Sequence, residues 1–89
     1  MQAVSLTFYL PENRRHDGIP LYEWLLEEGK RLGFHGGSAF RAIAGFGRHG
    51  VLHEESFFEL AGELPIEVVF IISPAEVEQL FALLQQERL

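Results

Sequence analysis

A glycine-punctuated segment followed by an arginine offers the clearest chemistry in this sequence. Gly45 and Gly47 flank a phenylalanine, and Arg48 follows directly. Glycines allow backbone N–H groups to converge on an anion, and the arginine guanidinium binds phosphate or carboxylate through a fork of donors. The pattern therefore predicts a small anion cradle. A plain hairpin loop is the alternative, because glycines also occur where the backbone only needs freedom to turn.

Histidines close to this segment raise the alternative of a metal site. His49 and His53 lie four residues apart, His16 is available from elsewhere, and Glu54 or Glu55 would have to complete the set. Imidazole is a good zinc ligand, but zinc needs three or four ligands and the chain contains no cysteine. Solvated loop histidines are the simpler interpretation of the same residues.

Two further polar features are open to interpretation. Glu67 interrupts an apolar run, and a buried carboxylate must be paired or protonated. We predict that it pairs with Arg41 on a neighbouring strand or with another subunit, although an edge-exposed glutamate would fit as well. The cluster Arg14–Asp17 either lines a cleft between subunits together with Arg48 or forms an ordinary solvated turn.

Signatures of catalysis are missing from the sequence. It contains no cysteine nucleophile, no Walker loop and no dinucleotide-binding fingerprint. None of its serines lies in a nucleophile-elbow pattern. We therefore expect a protein that is not an enzyme.

Composition limits the remaining classes of function. The 89 residues suffice for one domain, 1–89, with a modest core. The net charge is −6, whereas a nucleic-acid-binding protein shows a basic patch or stripe. The longest apolar run, Val68–Ile72, is far shorter than the roughly 20 residues of a membrane span, and the N-terminus lacks a signal-peptide pattern. We expect a cytoplasmic protein that binds no nucleic acid and is not embedded in a membrane.

Periodicity predicts the elements that position these side chains. Ala3–Leu10 alternates between two faces, which is typical of a strand. A helix begins at Pro20 and ends at Gly33, and Ala39–Ala44 forms the second strand. Glu55–Leu60 begins a third strand.

The second half of the chain continues the pattern. Ile66–Ile72 either extends the third strand after a bend or forms a strand of its own. A last helix begins at Ser73, where Glu76 completes a capping box. Apolar residues at helical spacing predict two buried stripes: Trp24, Leu25 and Leu32 in the first helix, and Val77, Leu80, Phe81 and Leu84 in the last. The order strand, helix, strand, strand, helix predicts an α+β fold with both helices on one face of a mainly antiparallel sheet.

The strand Ile66–Ile72 is apolar on both of its faces. Two helices cover only one face of a sheet, and the solvent face of an antiparallel sheet is normally polar. We therefore expect a second chain to pack against the open face. Long side chains such as Phe57 or Phe58 folding over it would be the alternative.

Longer strings of residues carry a family resemblance. Residues 41–47 (R-A-I-A-G-F-G) and 16–22 (H-D-G-I-P-L-Y) are similar to R-G-I-A-G-F-G and H-G-K-P-L-Y in a small uncharacterised PII-like family. Residues 45–48 and 64–69 also resemble the G-F-G-R and L-P-x-V-x-I-E strings on either side of the long loop in PII signal-transduction proteins. The resemblance covers nearly the whole chain.

The resemblance implies a ferredoxin-like two-layer sandwich, β-α-β-β-α, lacking the usual last strand of this superfamily. It also implies a homo-trimer whose sheets face the centre, a small anionic metabolite or nucleotide in the clefts between subunits, and a loop that signals to a protein or transporter partner. The resemblance matches Gly37, Gly47 and Arg48 to positions of the family's ligand site, whereas His49 stands where PII proteins usually have Gln. Together with the anion cradle, the predicted ligand-binding residues are Gly37, Arg41, Gly45, Gly47, Arg48 and His49. A divalent-metal-responsive protein that uses His49 and His53, or a purely structural interaction module, are the alternatives.

Overall fold

The computed structural model describes residues 2–46, 52–54 and 65–89. The elements in these ranges are β1 (Val4–Pro11), β2 (Arg15–His16), β3 (Ile19–Pro20), α1 (Leu21–Arg31), β4 (Gly37–Arg41), β5 (Ala44–Phe46), β6 (Leu52–Glu54), β7 (Pro65–Ile72) and α2 (Pro74–Gln86). The predicted α+β class is confirmed, and the antiparallel sheet with two helices is compatible with a ferredoxin-like sandwich. Neither helix of the described ranges is long and apolar enough to cross a membrane.

Strand β7 is the centre of the main sheet. It pairs antiparallel with β1 on one side and with β4 on the other, in the order β1-β7-β4. Alternate residues of β7 face the helices and are almost inaccessible to solvent: Ile66, Val68, Phe70 and Ile72. The helices complete this core with Leu21, Trp24, Leu25 and Leu80. The alternate apolar residues of β7 therefore pack against the apolar faces of α1 and α2, and together they form one core layer.

The ring of Phe70 has the tightest surroundings in this core. It meets Phe34 edge-on at a centroid distance of 5.5 Å and Phe8 at 6.4 Å. A Cβ atom added at Gly29 would lie only 2.6 Å from Cε1 of Phe70. Glycine costs up to ~1 kcal/mol in a helix interior relative to alanine. Its presence in α1 is explained by the space that the Phe70 ring requires.

The helix faces that pack on the core agree with the predicted spacing except at one position, and Leu32, Val77 and Leu84 are half-buried on these faces. Trp24 and Leu25 of α1 and Leu80 of α2 are buried. Phe81 is 46% exposed, so its predicted burial is wrong. Leu80 occupies the middle of the buried face, and the next residue lies about 100° further round a helix of 3.6 residues per turn.

The predicted strand Ala39–Ala44 is split in the structure. β4 ends at Arg41, the chain bends at Ala42 and Ile43, and β5 begins at Ala44 as part of a separate two-stranded sheet. The N–H group of Ala42 donates to the carbonyl of Pro65 at 3.1 Å, which holds the bend against the start of β7. The strand predicted from Glu55 to Leu60 lies outside the described residues.

The start of α2 follows the predicted capping box. The Ser73 hydroxyl accepts a hydrogen bond from the Glu76 N–H at 3.2 Å, and a Glu76 carboxylate oxygen accepts one from the Ser73 N–H at 2.8 Å. Pro74 occupies the first helical position. Two backbone donors that would otherwise lack partners are therefore satisfied at the exit from the central strand.

Replacing Ser73 tests the importance of this cap. We expect Ser73→Ala to lower the free energy of unfolding by about 1 kcal/mol, because the Glu76 N–H loses its acceptor. Urea unfolding followed by circular dichroism measures the change. Gln79→Ala is the control, since Gln79 is exposed on the same helix and is not part of the cap. Equal losses in the two variants would contradict the assigned role of the cap.

Candidate functional site

The predicted anion cradle adjoins a short hairpin. Strands β5 and β6 pair in the register Ala44 with Glu54, Gly45 with His53 and Phe46 with Leu52. Gly45 of the predicted cradle therefore lies directly opposite His53 of the predicted metal site. The other residues of these two predictions lie outside the described ranges and stay predictions: Gly47, Arg48 and His49.

Arg41 lies at the last position of β4, close to where this hairpin begins. Its guanidinium forms an ion pair with the carboxylate of Glu12, which follows β1. The predicted pair of Arg41 with Glu67 is wrong, because Arg41 is in register with Ile66 and Glu67 with Phe40. Successive residues of a strand point to opposite faces, so the two side chains lie on different sides of the sheet.

A shallow cleft of about 110 Å³ lies beside Arg41. It is lined by Tyr9, Phe40, Arg41, Ala42, Pro65, Ile66 and Glu67. The Arg41 side chain is 45% exposed, and a guanidinium has five N–H donors. The bond to Glu12 uses part of this donor set and leaves other donors available for an anion. By register the guanidinium lies on the helix side of the sheet, whereas Tyr9, Phe40 and Glu67 lie on the other side.

Gly37 lies at the opposite end of the same strand from Arg41. Four residues of strand separate the two by about 13 Å, so the structure does not bring them into one site. A Cβ atom at Gly37 would lie 2.8 Å from Cε1 of Phe70 and 3.2 Å from Cδ2 of Leu26. The close approach of backbone to ring explains why glycine is needed here. A separate cavity of about 280 Å³ adjoins it, with Lys30 and His35 in its lining.

The sheet face opposite the helices exposes large apolar side chains. Tyr9 is 75% exposed, Phe40 57% and Ile71 55%. Tyr9 and Phe40 are both in register with Glu67, so they stand on either side of its side chain. We refer to Tyr9, Phe40, Val69 and Ile71 as the open sheet face. Its apolar character is what the two-sided apolar pattern of β7 predicts.

One polar cluster was not identified from the sequence. His16, Asp17 and Glu87 bring one imidazole and two carboxylates together, although Glu87 is 71 residues from His16. The short hairpin β2–β3 holds the first two residues, in a segment that the sequence predicts only as a loop. The Asp17-Gly18 dipeptide was the available signal, because Asp-Gly is a preferred pair for a two-residue hairpin turn. Nothing in the sequence pattern predicts the approach of Glu87.

Comparison with known proteins agrees with the resemblance. The model of the DUF190 family, described as "Uncharacterized ACR, COG1993", matches residues 3–87. This chain belongs to the DUF190 family. The resemblance to a small uncharacterised PII-like family is thereby confirmed.

Two relatives extend the comparison to distant organisms. A UPF0166 protein of Aquifex aeolicus is 32% identical over 74 residues, which cover 83% of this chain and 70% of the relative. A UPF0166 protein of Methanocaldococcus jannaschii is 30% identical over 79 residues, covering 89% of this chain and 68% of the relative. Neither name states an activity, so these relatives support the family and leave its function to be inferred from the structure.

Replacing Gly37 tests the contact with Phe70. The buried ring has little room to move between Phe8 and Phe34, so we expect Gly37→Ala to lower the free energy of unfolding by about 1–3 kcal/mol. Alanine also restricts the unfolded chain, which raises the free energy of unfolding by roughly 0.4–1 kcal/mol. The loss from the contact with Phe70 is larger than this gain. Urea denaturation measures the difference.

Gly36→Ala is the matched control for this substitution. A Cβ atom at Gly36 meets nothing within 4 Å. We expect its free energy of unfolding to stay the same or to rise slightly. If both variants lost equal stability, the contact with Phe70 would not be the cause.

Proposed function

We propose that this DUF190 protein is a PII-like regulatory subunit. It assembles as a homo-trimer, binds a small anionic metabolite or nucleotide near residues 45–48, and signals the bound state to a protein partner. It carries out no catalytic step. Membership of the PII-like family supports the class of function, and the observation that carries the proposal is the open sheet face.

The open sheet face is suited to association with copies of itself. Contiguous apolar surface on a protein marks a site of contact with another molecule. Its neighbours in the sheet are small or hydroxyl-bearing residues, which permit a close approach: Ser5, Thr7 and Ser38. Both helices already occupy the opposite face. Association through the sheets would bury Tyr9, Phe40 and Ile71 and would give Glu67 a polar partner from a neighbouring subunit.

The end of β4 supports anion binding at the edge of this face. Arg41 lines a cleft that Tyr9 and Phe40 of the open sheet face also line. By register the Arg41 side chain lies on the helix side of the sheet, so an anion bound to it would lie at the strand end, next to the subunit interface. β5 begins three residues after Arg41, and Gly47 and Arg48 follow this strand in the sequence. Binding near Arg41 would be signalled along this segment to the protein partner.

The first experiment concerns assembly. We expect light scattering during size-exclusion chromatography to give the mass of three chains for the unaltered protein. Phe40→Lys should reduce this to the mass of one chain, because a charge would be buried without a partner at the interface. Phe81→Lys is the matched control, since Phe81 is also exposed but belongs to α2. A trimer that survives Phe40→Lys and is lost in Phe81→Lys would place the interface on the helices.

The second experiment concerns the ligand. Thermal unfolding is recorded with adenine nucleotides, cyclic dinucleotides, bicarbonate and divalent metals in turn. A ligand at 100 times its Kd stabilises the folded state by about 2.7 kcal/mol, which raises the Tm of a domain of this size by several degrees. We expect an anionic ligand to give this shift, and Arg48→Ala and Arg41→Ala each to reduce it.

Arg31→Ala is the control for the lost positive charge. Arg31 is exposed on α1 and pairs with Glu28 of the same helix, away from the cleft. Its removal should leave the ligand-induced shift unchanged. A stable trimer that responds to none of the ligands would contradict ligand sensing and favour a purely structural interaction module.

A further inference from the structure

The cluster of His16, Asp17 and Glu87 has the composition of a metal site. The Nε2 atom of His16 lies 2.8 Å from Oε1 of Glu87 and 3.7 Å from Oδ2 of Asp17. One ligand atom from each residue lies within 4.8 Å of the others. Three donors from the strand β2, its turn and the end of α2 therefore converge on one point.

The tertiary structure holds the His16 ring in place and fixes the backbone that carries Asp17 and Glu87. The His16 ring packs edge-on against Trp24 of α1 at a centroid distance of 4.7 Å, and its side chain is only 17% exposed. Asp17 and Gly18 have φ angles of 52° and 84° and form the tight turn between β2 and β3. Glu87 is the C-cap of α2. Donors that are positioned before the metal arrives lose little conformational entropy on binding.

The distances agree with a small tetrahedral ion. Zinc lies about 2.0–2.2 Å from imidazole nitrogen and carboxylate oxygen, so two ligands on a tetrahedral ion are about 3.4 Å apart. The contact between His16 and Asp17 would close by roughly 0.3 Å, and that between His16 and Glu87 would open by roughly 0.6 Å. Rotation of the exposed Asp17 and the half-buried Glu87 side chains accommodates changes of this size.

The charges around the cluster also favour a cation. Two carboxylates supply negative charge, and the last carbonyl groups of α2 add the negative end of a helix dipole. The last turn of α2 contains no basic residue. The guanidinium of Arg15 donates to the carbonyl of Gly18, and Arg88 directly follows Glu87. Both arginines keep their positive charge, so the two carboxylates and the helix dipole must outweigh them for a cation to bind.

We propose that His16, Asp17 and Glu87 bind a divalent cation of the zinc class. A mixed set of one nitrogen and two oxygen donors suits Zn²⁺ better than Mg²⁺ or Ca²⁺, which prefer oxygen ligands alone. Three protein ligands leave a position open to water or to another molecule. The bound ion ties the β2–β3 hairpin to the end of α2, and its residues are separate from His49 and His53. Its binding requires neither the trimer nor the anionic ligand.

Equilibrium dialysis of the chelator-treated protein against Zn²⁺ tests this site. We expect a single zinc ion per chain at saturation. Asp17→Asn and Glu87→Gln should each weaken zinc binding at least tenfold, because loss of an outer partner of a metal ligand alone costs about 10–100-fold. Zn²⁺ should also raise the Tm of the unaltered protein and have a much smaller effect on either variant.

Both substitutions are chosen to preserve the fold. Asparagine tolerates the left-handed backbone of position 17, and glutamine keeps an oxygen that accepts a hydrogen bond from His16. Circular dichroism without metal checks that both variants fold. Two control variants separate this site from other histidines: His35→Ala, which removes an exposed histidine, and His49→Ala combined with His53→Ala.

The controls should bind zinc as the unaltered protein does. Undiminished binding by Asp17→Asn and Glu87→Gln would overturn the proposal. So would loss of binding in the combined His49 and His53 variant, which would place the zinc at the hairpin β5–β6. Failure of the unaltered protein to bind Zn²⁺ would overturn it as well.

Discussion

The packing of the Phe70 side chain is the constraint on which the rest of the structure depends. Phe70 belongs to the second half of the central strand, and its ring projects into the layer between sheet and helices. Phe8 and Phe34 meet it edge-on from β1 and from the segment after α1. Gly29 and Gly37 provide the space for the ring, and neither position has room for a Cβ atom. One aromatic ring therefore fixes how closely α1 approaches the sheet and where β4 starts.

This arrangement determines which surfaces remain for function. Because both helices pack on the Phe70 side, the described residues leave Tyr9, Phe40 and Ile71 exposed on the other side. A chain with one covered and one apolar face meets the conditions for association through its sheet. Arg41 is the last residue of β4, and its guanidinium pairs with Glu12 at the same end of the sheet.

The polar contacts join parts of the chain that are far apart in sequence. Arg41 pairs with Glu12 across the strand ends, and His16 meets Glu87 at the end of α2. Each contact joins the ends of a long segment of chain, and closing such a segment costs conformational entropy. The packing of the core offsets this cost, so these contacts form only when the sheet and helices are folded together.

Local signals in the sequence were sufficient for the class of fold and for several details. The alternation in β1 and β7, the helical spacing of Trp24, Leu25 and Leu80, and the capping box at Ser73 depend on neighbouring residues, and the structure agrees with each. The apolar character of both faces of β7 also predicted the open sheet face.

What depends on distant residues was decided by the tertiary structure alone. Strand register put Arg41 and Glu67 on opposite sides of the sheet, and Arg41 pairs with Glu12 instead. The Phe70 ring leaves no room for a Cβ atom at Gly29 and Gly37. The docking of α2 brought Glu87 to His16 and left Phe81 exposed. Sequence spacing describes which residues share a face, but packing decides which faces and strand ends meet.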